Sequence, residues 1–248
     1  MGKVSVVGIG PGEYEQMTIK ADKALKSADI IAGYNVYVEL VKAYYPDKEY
    51  MTTPMKQESL RCALALESAA EGKNVALICS GDAGVYGMSG LLYELKALYE
   101  DDEEFQRIEI EVISGVTAAL SGAALLGAPL IHDFCVISLS DLLTPWDKIE
   151  KRLISAAAAD FVIVLYNPSS KKRADYLKKA CELILKYKDE NIVCGVTRNI
   201  GRQDEEYQIM SLGALKDYNA DMFTTVFIGN SQTREIDGKM VTPRGYQL

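Results

Sequence analysis

Short apolar runs and stretches of helical spacing alternate through the first half of this chain. Residues 3–8, 29–33, 75–80 and 108–114 have the pattern of strands, and 18–27, 35–44, 57–71 and 88–98 that of helices. Strand alternating with helix predicts a parallel sheet. The clearest amphipathic helix is 57–71, where Leu60, Ala63, Leu64 and Leu66 line one side and Glu58, Arg61 and Glu67 the other, before Gly72 stops it.

The second half opens with an alanine-rich helix over 117–126, ended by Gly127-Ala128-Pro129. Strands are predicted at 134–138, 161–166, 192–196, 206–211 and 223–228, and helices at 146–158 and 170–186. Connections shorten here, which predicts a mixed sheet with antiparallel pairs. The fold class is therefore α/β, with a mainly parallel domain over 1–115 and a mixed one over 116–248.

Composition is that of an ordinary globule, and the net charge of −8 argues against a nucleic-acid partner held by phosphate neutralisation. The five cysteines, at 62, 79, 135, 181 and 194, form no close pair, as expected of reduced, mostly buried thiols in a cytoplasmic protein. Neither a membrane span nor a signal peptide is expected.

Candidate chemistry gathers where strands end. Val75-Ala76-Leu77-Ile78-Cys79 runs into Ser80-Gly81-Asp82-Ala83-Gly84-Val85-Tyr86-Gly87-Met88. Missing side chains there let a ligand lie against the backbone, and an acid among freed amides suits an ammonium or hydroxyls. A plain strand-to-helix connection has the same look. Similar breaks occur at Gly8-Ile9-Gly10-Pro11-Gly12 and Ser114-Gly115-Val116-Thr117-Ala118-Ala119, and three such ends on one sheet build a crevice. A dinucleotide fingerprint fails on spacing, because Glu13 stands where its third glycine belongs.

His132 is the single histidine and no G-x-S-x-G elbow accompanies it, so triad hydrolysis has little support; scattered cysteines give no metal-ligand spacing. The segment from Phe134 to Trp146 joins an apolar strand to hydroxyls and an acid, although Asp141 or Thr144 also suits a cap for the helix that Pro145 opens. Tyr166-Asn167-Pro168-Ser169-Ser170 repeats the theme ahead of Lys171-Lys172-Arg173.

With these residues assembled, the chain resembles the tetrapyrrole (corrin/porphyrin) methyltransferase family over essentially its whole length. Gly8-Ile9-Gly10-Pro11-Gly12 looks like its N-terminal loop, Gly81-Asp82 its acid-bearing loop and Gly115-Val116-Thr117-Ala118-Ala119 its third motif. The likeness is greatest to members that methylate carbon 17 of a precorrin-3B or cobalt-factor III macrocycle in cobalamin synthesis. It is carried by Gly33-Tyr34-Asn35-Val36-Tyr37, the 80–88 and 133–146 segments, Tyr166-Asn167-Pro168, Gly229-Asn230-Ser231 and Thr242-Pro243-Arg244-Gly245-Tyr246. Many members have proline after the loop acid; Ala83 here departs from that, as in the carbon-17 subgroup.

The resemblance implies two α/β domains with a cofactor cleft between them, and S-adenosylmethionine as methyl donor, leaving as S-adenosylhomocysteine. Carried over by position, it implies cofactor contacts at Pro11, Ser80, Gly81, Asp82, Val85, Thr117 and Ala118, with Asn167 and Asn199 from the second domain. The macrocycle is polyanionic, so Lys56, Arg61, Arg198, Arg202 and Arg244 are candidates to meet it, with Tyr34, Tyr86 and Phe134 for stacking. The subgroup also contracts the ring, for which Asp141, Ser138 and His132 are the candidate catalytic groups. A homodimer is implied, with no metal on protein ligands; any cobalt arrives inside the substrate. The alternatives are methylation of another corrin-precursor carbon, a family relative acting on ribosomal RNA or the diphthamide precursor, and a silent S-adenosylmethionine-binding module.

Overall fold

A computed structural model of the protein describes residues 2–170 and 173–247. The chain divides into two units, Met1–Thr117 and Ala118–Leu248. The first runs β1 (Lys3–Gly8), α1 (Ile19–Ser27), β2 (Ile30–Tyr34), α2 (Asn35–Lys42), β3 (Glu49–Thr53), α3 (Glu58–Ala70), β4 (Asn74–Cys79), α4 (Ser89–Ala97), α5 (Glu103–Gln106) and β5 (Glu109–Ile113). Its strands pair in the order β3-β2-β4-β1-β5, every pairing parallel.

Successive strand residues point to opposite faces. Val4, Val6, Leu77 and Cys79 pack with Cys62 and Leu66 of α3 and Leu92 of α4 on one face. Val7, Ile31 and Ile78 pack with Leu25 of α1 and Val38 of α2 on the other. Both faces are covered, which is why the interior strands β2 and β4 are apolar along nearly all their length. The connection leaving β1 crosses β4 to reach β2, and that leaving β4 crosses β1 to reach β5. Their helices lie on opposite faces, so a crevice opens at the carboxyl ends of β1 and β4.

Two features of this unit differ from expectation. Strand β3 was not anticipated, because it is a sheet edge whose Glu49-Tyr50-Met51-Thr52-Thr53 leaves little apolar pattern to read. Helix α3 is also rotated: Leu60 is 48% exposed while Arg61 is 3% exposed. The guanidinium finds acceptors inside the fold, and these decide the face that the apolar count missed.

The second unit runs α6 (Ala118–Leu126), β6 (Gly127–Ala128), β7 (Phe134–Ser138), α7 (Trp146–Ala158), β8 (Val162–Tyr166), α8 (Tyr176–Ile184), β9 (Val193–Arg198), β10 (Glu206–Ser211), α9 (Leu212–Leu215), β11 (Thr224–Ile228), β12 (Arg234–Ile236) and β13 (Lys239–Val241). The main sheet has the order β10-β9-β11-β8-β7, parallel between β7 and β8 and antiparallel elsewhere. A small sheet, β12-β13-β6, was not anticipated, since strands of two or three residues show no period. Helix α8 begins later than expected, at Tyr176; residues 171 and 172 of the expected helix lie outside the described residues.

Lys188, its side chain 2% exposed, donates to Asp160 at 2.8 Å. Asp160 also accepts from the Ser231 amide and, at 2.6 Å, from the Ser231 hydroxyl. Partial burial opposes ionisation of Asp160, but Lys188 and Ser231 outweigh it and hold the carboxyl below its ordinary value of 3.8. A folded-state value below the unfolded one makes the carboxylate stabilising above the ordinary range, a contribution lost as pH falls through the folded value. Lys188→Met should therefore lower the urea midpoint at neutral pH and flatten its decline on acidification below about pH 4. An unchanged acid limb would remove this pair from the acid stability of the unit.

Candidate functional site

Because every strand of the first sheet is parallel, the loops after β1, β2, β3, β4 and β5 all emerge at one edge. At its centre Gly10 and Gly81 exchange hydrogen bonds, Gly10 N–H to Gly81 O at 3.0 Å and Gly81 N–H to Gly10 O at 2.7 Å. Both adopt positive φ, +76° and +70°, which glycine allows without strain. The chains beneath are equally close. A Cβ on Gly8 would lie 2.7 Å from the Gly115 nitrogen, and one on Gly115 would lie 2.2 Å from the Gly81 carbonyl oxygen. The absent side chains at Gly8 and Gly115 thus let three strand ends touch one another, a use the sequence reading had reserved for a ligand.

Asp82 organises this junction. One carboxylate oxygen accepts the amides of Gly84 at 2.7 Å and Val85 at 3.0 Å, and the other accepts the Gly115 amide at 2.9 Å. The carboxylate therefore ties the loop after β4 to the strand end of β5. Gly84, Val85, Tyr86 and Gly87 are left exposed above it, with Tyr86 held at φ +54°. Ser80 is half-buried and Pro11 is buried. Below the loop, burial pushes the Cys62 thiol up to about 12 and that of Cys79 up to about 11, so neither is a thiolate nucleophile near neutral pH.

The same edge holds Tyr34, packed edge-on against Tyr37, and exposed Lys56 at φ +67° after β3. Arg61 is present but turned inward. It donates to Thr53 Oγ1 at 2.8 Å, to the carbonyls of Thr53 at 3.3 Å and Pro54 at 3.1 Å, and to Met88 Sδ at 3.4 Å.

In the second unit β7 and β8 are parallel, and β9 runs with them because both β8 and β9 are antiparallel to β11. Their carboxyl ends place Ser138, Asn167 and Asn199 along one edge, the asparagines both at φ +52°. Asn167 Nδ2 donates to Ser138 Oγ at 3.0 Å, and the Ser140 amide to the same oxygen at 3.2 Å. Asp141 accepts the Tyr176 hydroxyl at 2.6 Å and lies 3.6 Å from Arg173, which donates to Ser140 Oγ at 2.6 Å. The Tyr166 hydroxyl accepts the Ala119 amide at 2.6 Å, setting the start of α6, where Ala118 and the preceding Thr117 are half-buried, beside this edge.

His132 does not join Ser138 and Asp141. It precedes the amino end of β7, and that strand separates it from them. The structure thus divides the three expected catalytic groups, because a strand carries its two ends to opposite edges of the sheet. Arg244 falls on the His132 side, where it reaches the Ile131 carbonyl at 3.5 Å. Arg198 is bound to Asp221 at 2.7 Å and Glu206 at 3.2 Å, and Arg202 lies over the Phe223 ring at 5.1 Å. Tyr176, Ser140 and Thr53 were not foreseen as members of these networks; nothing in their local sequence distinguishes them from ordinary helix and strand-end residues.

The family model for Tetrapyrrole (Corrin/Porphyrin) Methylases matches residues 3–216. A Salmonella typhimurium protein named probable cobalt-factor III C(17)-methyltransferase is 48% identical over 99% of this chain and 100% of its own length. The cobalt-factor III methyltransferase of Priestia megaterium is 44% identical over 99% of this chain, which spans 45% of that longer protein. The crystal structure of the methyltransferase CobJ superposes with a TM-score of 0.87 at 36% identity, covering 98% of this chain and 100% of that one.

Proposed function

This chain belongs to the tetrapyrrole (corrin/porphyrin) methylase family, and we propose that it methylates carbon 17 of a cobalt-factor III or precorrin-3B macrocycle in cobalamin synthesis. The observation that carries this reading is the 48% identity to a relative so named across 99% of the chain. The methyl donor is S-adenosylmethionine, which when bound supplies an electrophilic methyl group on a sulfonium. The junction at Gly10 and Gly81 fits that group. Among residues 8–12 and 80–88 the only charged side chain is Asp82, whose carboxylate is taken up by amides of the junction, so a ligand meets neutral main-chain groups beside one negative charge. That suits a cation and offers no lysine or arginine to a phosphate.

Methyl transfer to carbon asks the protein for alignment rather than for a nucleophile. Holding two reactants in line can supply about 7–11 kcal/mol in favourable cases. The loop after β4 provides the rigid part of that alignment, because Asp82 fixes three of its surrounding amides. Tyr34, Tyr86 and Lys56 on the same edge offer aromatic faces and a cation to an anionic ring system. On the second unit Arg202, Asn167 and Asn199 are further candidate polar groups, and the charge of Arg198 is shared with Asp221 and Glu206.

The ring contraction that accompanies methylation in the resembling subgroup needs a group to move a proton. Asp141 is our candidate, oriented by Tyr176 and Arg173, with Ser138 on the same edge as a hydrogen-bonding partner. The chain works in the cytoplasm as a homodimer, and any cobalt enters within the substrate. Mass spectrometry of products from cobalt-factor III and from metal-free precorrin-3B tests this. One added methyl and a contracted-ring absorption spectrum are expected; binding without methyl transfer to either would refute the proposal. Asp141→Asn should slow contraction by roughly 100-fold, within the range of general acid–base effects, while S-adenosylhomocysteine binding stays near wild type. Equal loss of both would rule Asp141 out of that step.

A further inference from the structure

Arg61 is an expensive residue to place where it is. It is 3% exposed, and its partners among the described residues are the Thr53 hydroxyl, the Thr53 and Pro54 carbonyls and the Met88 sulfur, with no carboxylate. A buried cation without a counter-charge is costly, and a well-packed apolar side chain of similar volume is often as stable or more so. What an apolar residue lacks is direction. A guanidinium is a planar fork whose donors leave at fixed angles.

Here the fork spans two loops. Nε and Nη2 hold the Thr53 hydroxyl and the Thr53 and Pro54 carbonyls, at the end of β3. Nη1 points to Met88 Sδ, where the loop after β4 meets α4. Met88 is itself anchored, its amide donating to Cys79 Sγ at 3.5 Å. The first loop leads to Lys56 and the second carries Gly84, Val85 and Tyr86, and each contains one non-glycine residue at positive φ. Both segments hold unusual backbone shapes, and Arg61 touches both.

We propose that Arg61 is a positioning residue that couples the 53–57 loop to the 80–88 loop and so sets cofactor and macrocycle affinity together, without touching either ligand. This rests on the proposed reading that both ligands use this edge. Lysine keeps the charge but cannot bridge two loops with a planar fork, so Arg61→Lys is the informative substitution.

The test is calorimetric titration with S-adenosylhomocysteine, steady-state kinetics with cobalt-factor III, and amide hydrogen exchange, on the full chain. The wild type is measured first; its failure to bind or methylate would sink the functional reading, independently of Arg61. In Arg61→Lys, the dissociation constant for S-adenosylhomocysteine and KM for the macrocycle should each rise about tenfold, the scale of a lost hydrogen bond to a charged group. Amides of 54–57 and 84–87 should exchange faster while α3 and β4 stay protected. A rise in macrocycle KM alone, with loop exchange unchanged, would mean direct substrate contact and overturn the proposal. Uniformly faster exchange across the unit would reduce Arg61 to a stabilising residue and overturn it equally, as would an unaltered variant. Should Arg61→Lys fail to fold, Met88→Leu removes the sulfur acceptor at nearly constant volume. It should speed exchange at 84–87 and leave 54–57 as in wild type; no change at 84–87 would refute the link.

Discussion

Gly115→Ala should destabilise the first unit by about 3 kcal/mol, the upper part of the range for overpacking a closed interior. The added Cβ would sit 2.2 Å from the Gly81 carbonyl oxygen, 2.6 Å from the Gly8 oxygen and 2.7 Å from the Gly8 carbonyl carbon. All three are backbone atoms of strand ends, and no side chain can swing away to relieve the contact. Gly115 is not among the residues at positive φ, so the cost is contact rather than dihedral strain. Gly90→Ala is the matched control. Nothing lies within 4 Å of its added methyl, and it sits in α4, where alanine should gain about 0.5–1 kcal/mol over glycine. Urea denaturation of both variants decides the matter: a Gly115→Ala midpoint at or above wild type would show that the junction can open without penalty.

Asp82→Ala should leave the chain folded yet weaken S-adenosylhomocysteine binding at least about 30-fold, equivalent to roughly 2 kcal/mol. The amides of Gly84, Val85 and Gly115 lose their acceptor together, and each such bond to a carboxylate contributes about 1.5–3 kcal/mol. Water can replace the carboxylate at this half-buried position, so much of the loss falls on the loop's shape rather than on global stability. Asp82→Asn should fall between alanine and wild type. Its amide oxygen still accepts from Gly84 and Val85, but its nitrogen has no lone pair for the Gly115 amide. Calorimetric titration distinguishes the three proteins. Wild-type affinity in Asp82→Ala would show that the loop holds its form without the acid.

These two substitutions also mark how far the chain could be read in advance. The glycine-bearing strand ends were visible because a glycine run after an apolar run is a local signal, and Gly81-Asp82 stands out in any window. That Gly8, Gly81 and Gly115 meet was implied by a parallel sheet. That their missing side chains admit one another was not, since it depends on the separation of three backbones distant in sequence. Asp82 stands out in the sequence as an acid among glycines, yet its partners include Gly115, which only strand order brings near. His132 shows the opposite failure. It lies nine positions before Asp141, and proximity along the chain suggested a shared site, but the intervening β7 carries the two apart.

Helix α3 is the sharpest instance. Counting apolar residues turned Leu60 inward and Arg61 outward, because sequence weighs a side chain by its transfer preference alone. The fold supplies acceptors at Thr53, Pro54 and Met88 that overturn that preference for one residue.

What the amino-acid order alone determined was the succession of the longer strands and helices, the parallel character of the first sheet and the glycine-bearing strand ends. These follow from spacings of two and of three to four residues, which are fixed within a single element. Tertiary structure alone decided which face of α3 is buried, which glycines are closed by backbone, and on which edge each polar group falls. Those outcomes depend on distances between elements far apart in the chain, and such distances exist only once the strands have taken their places in a sheet.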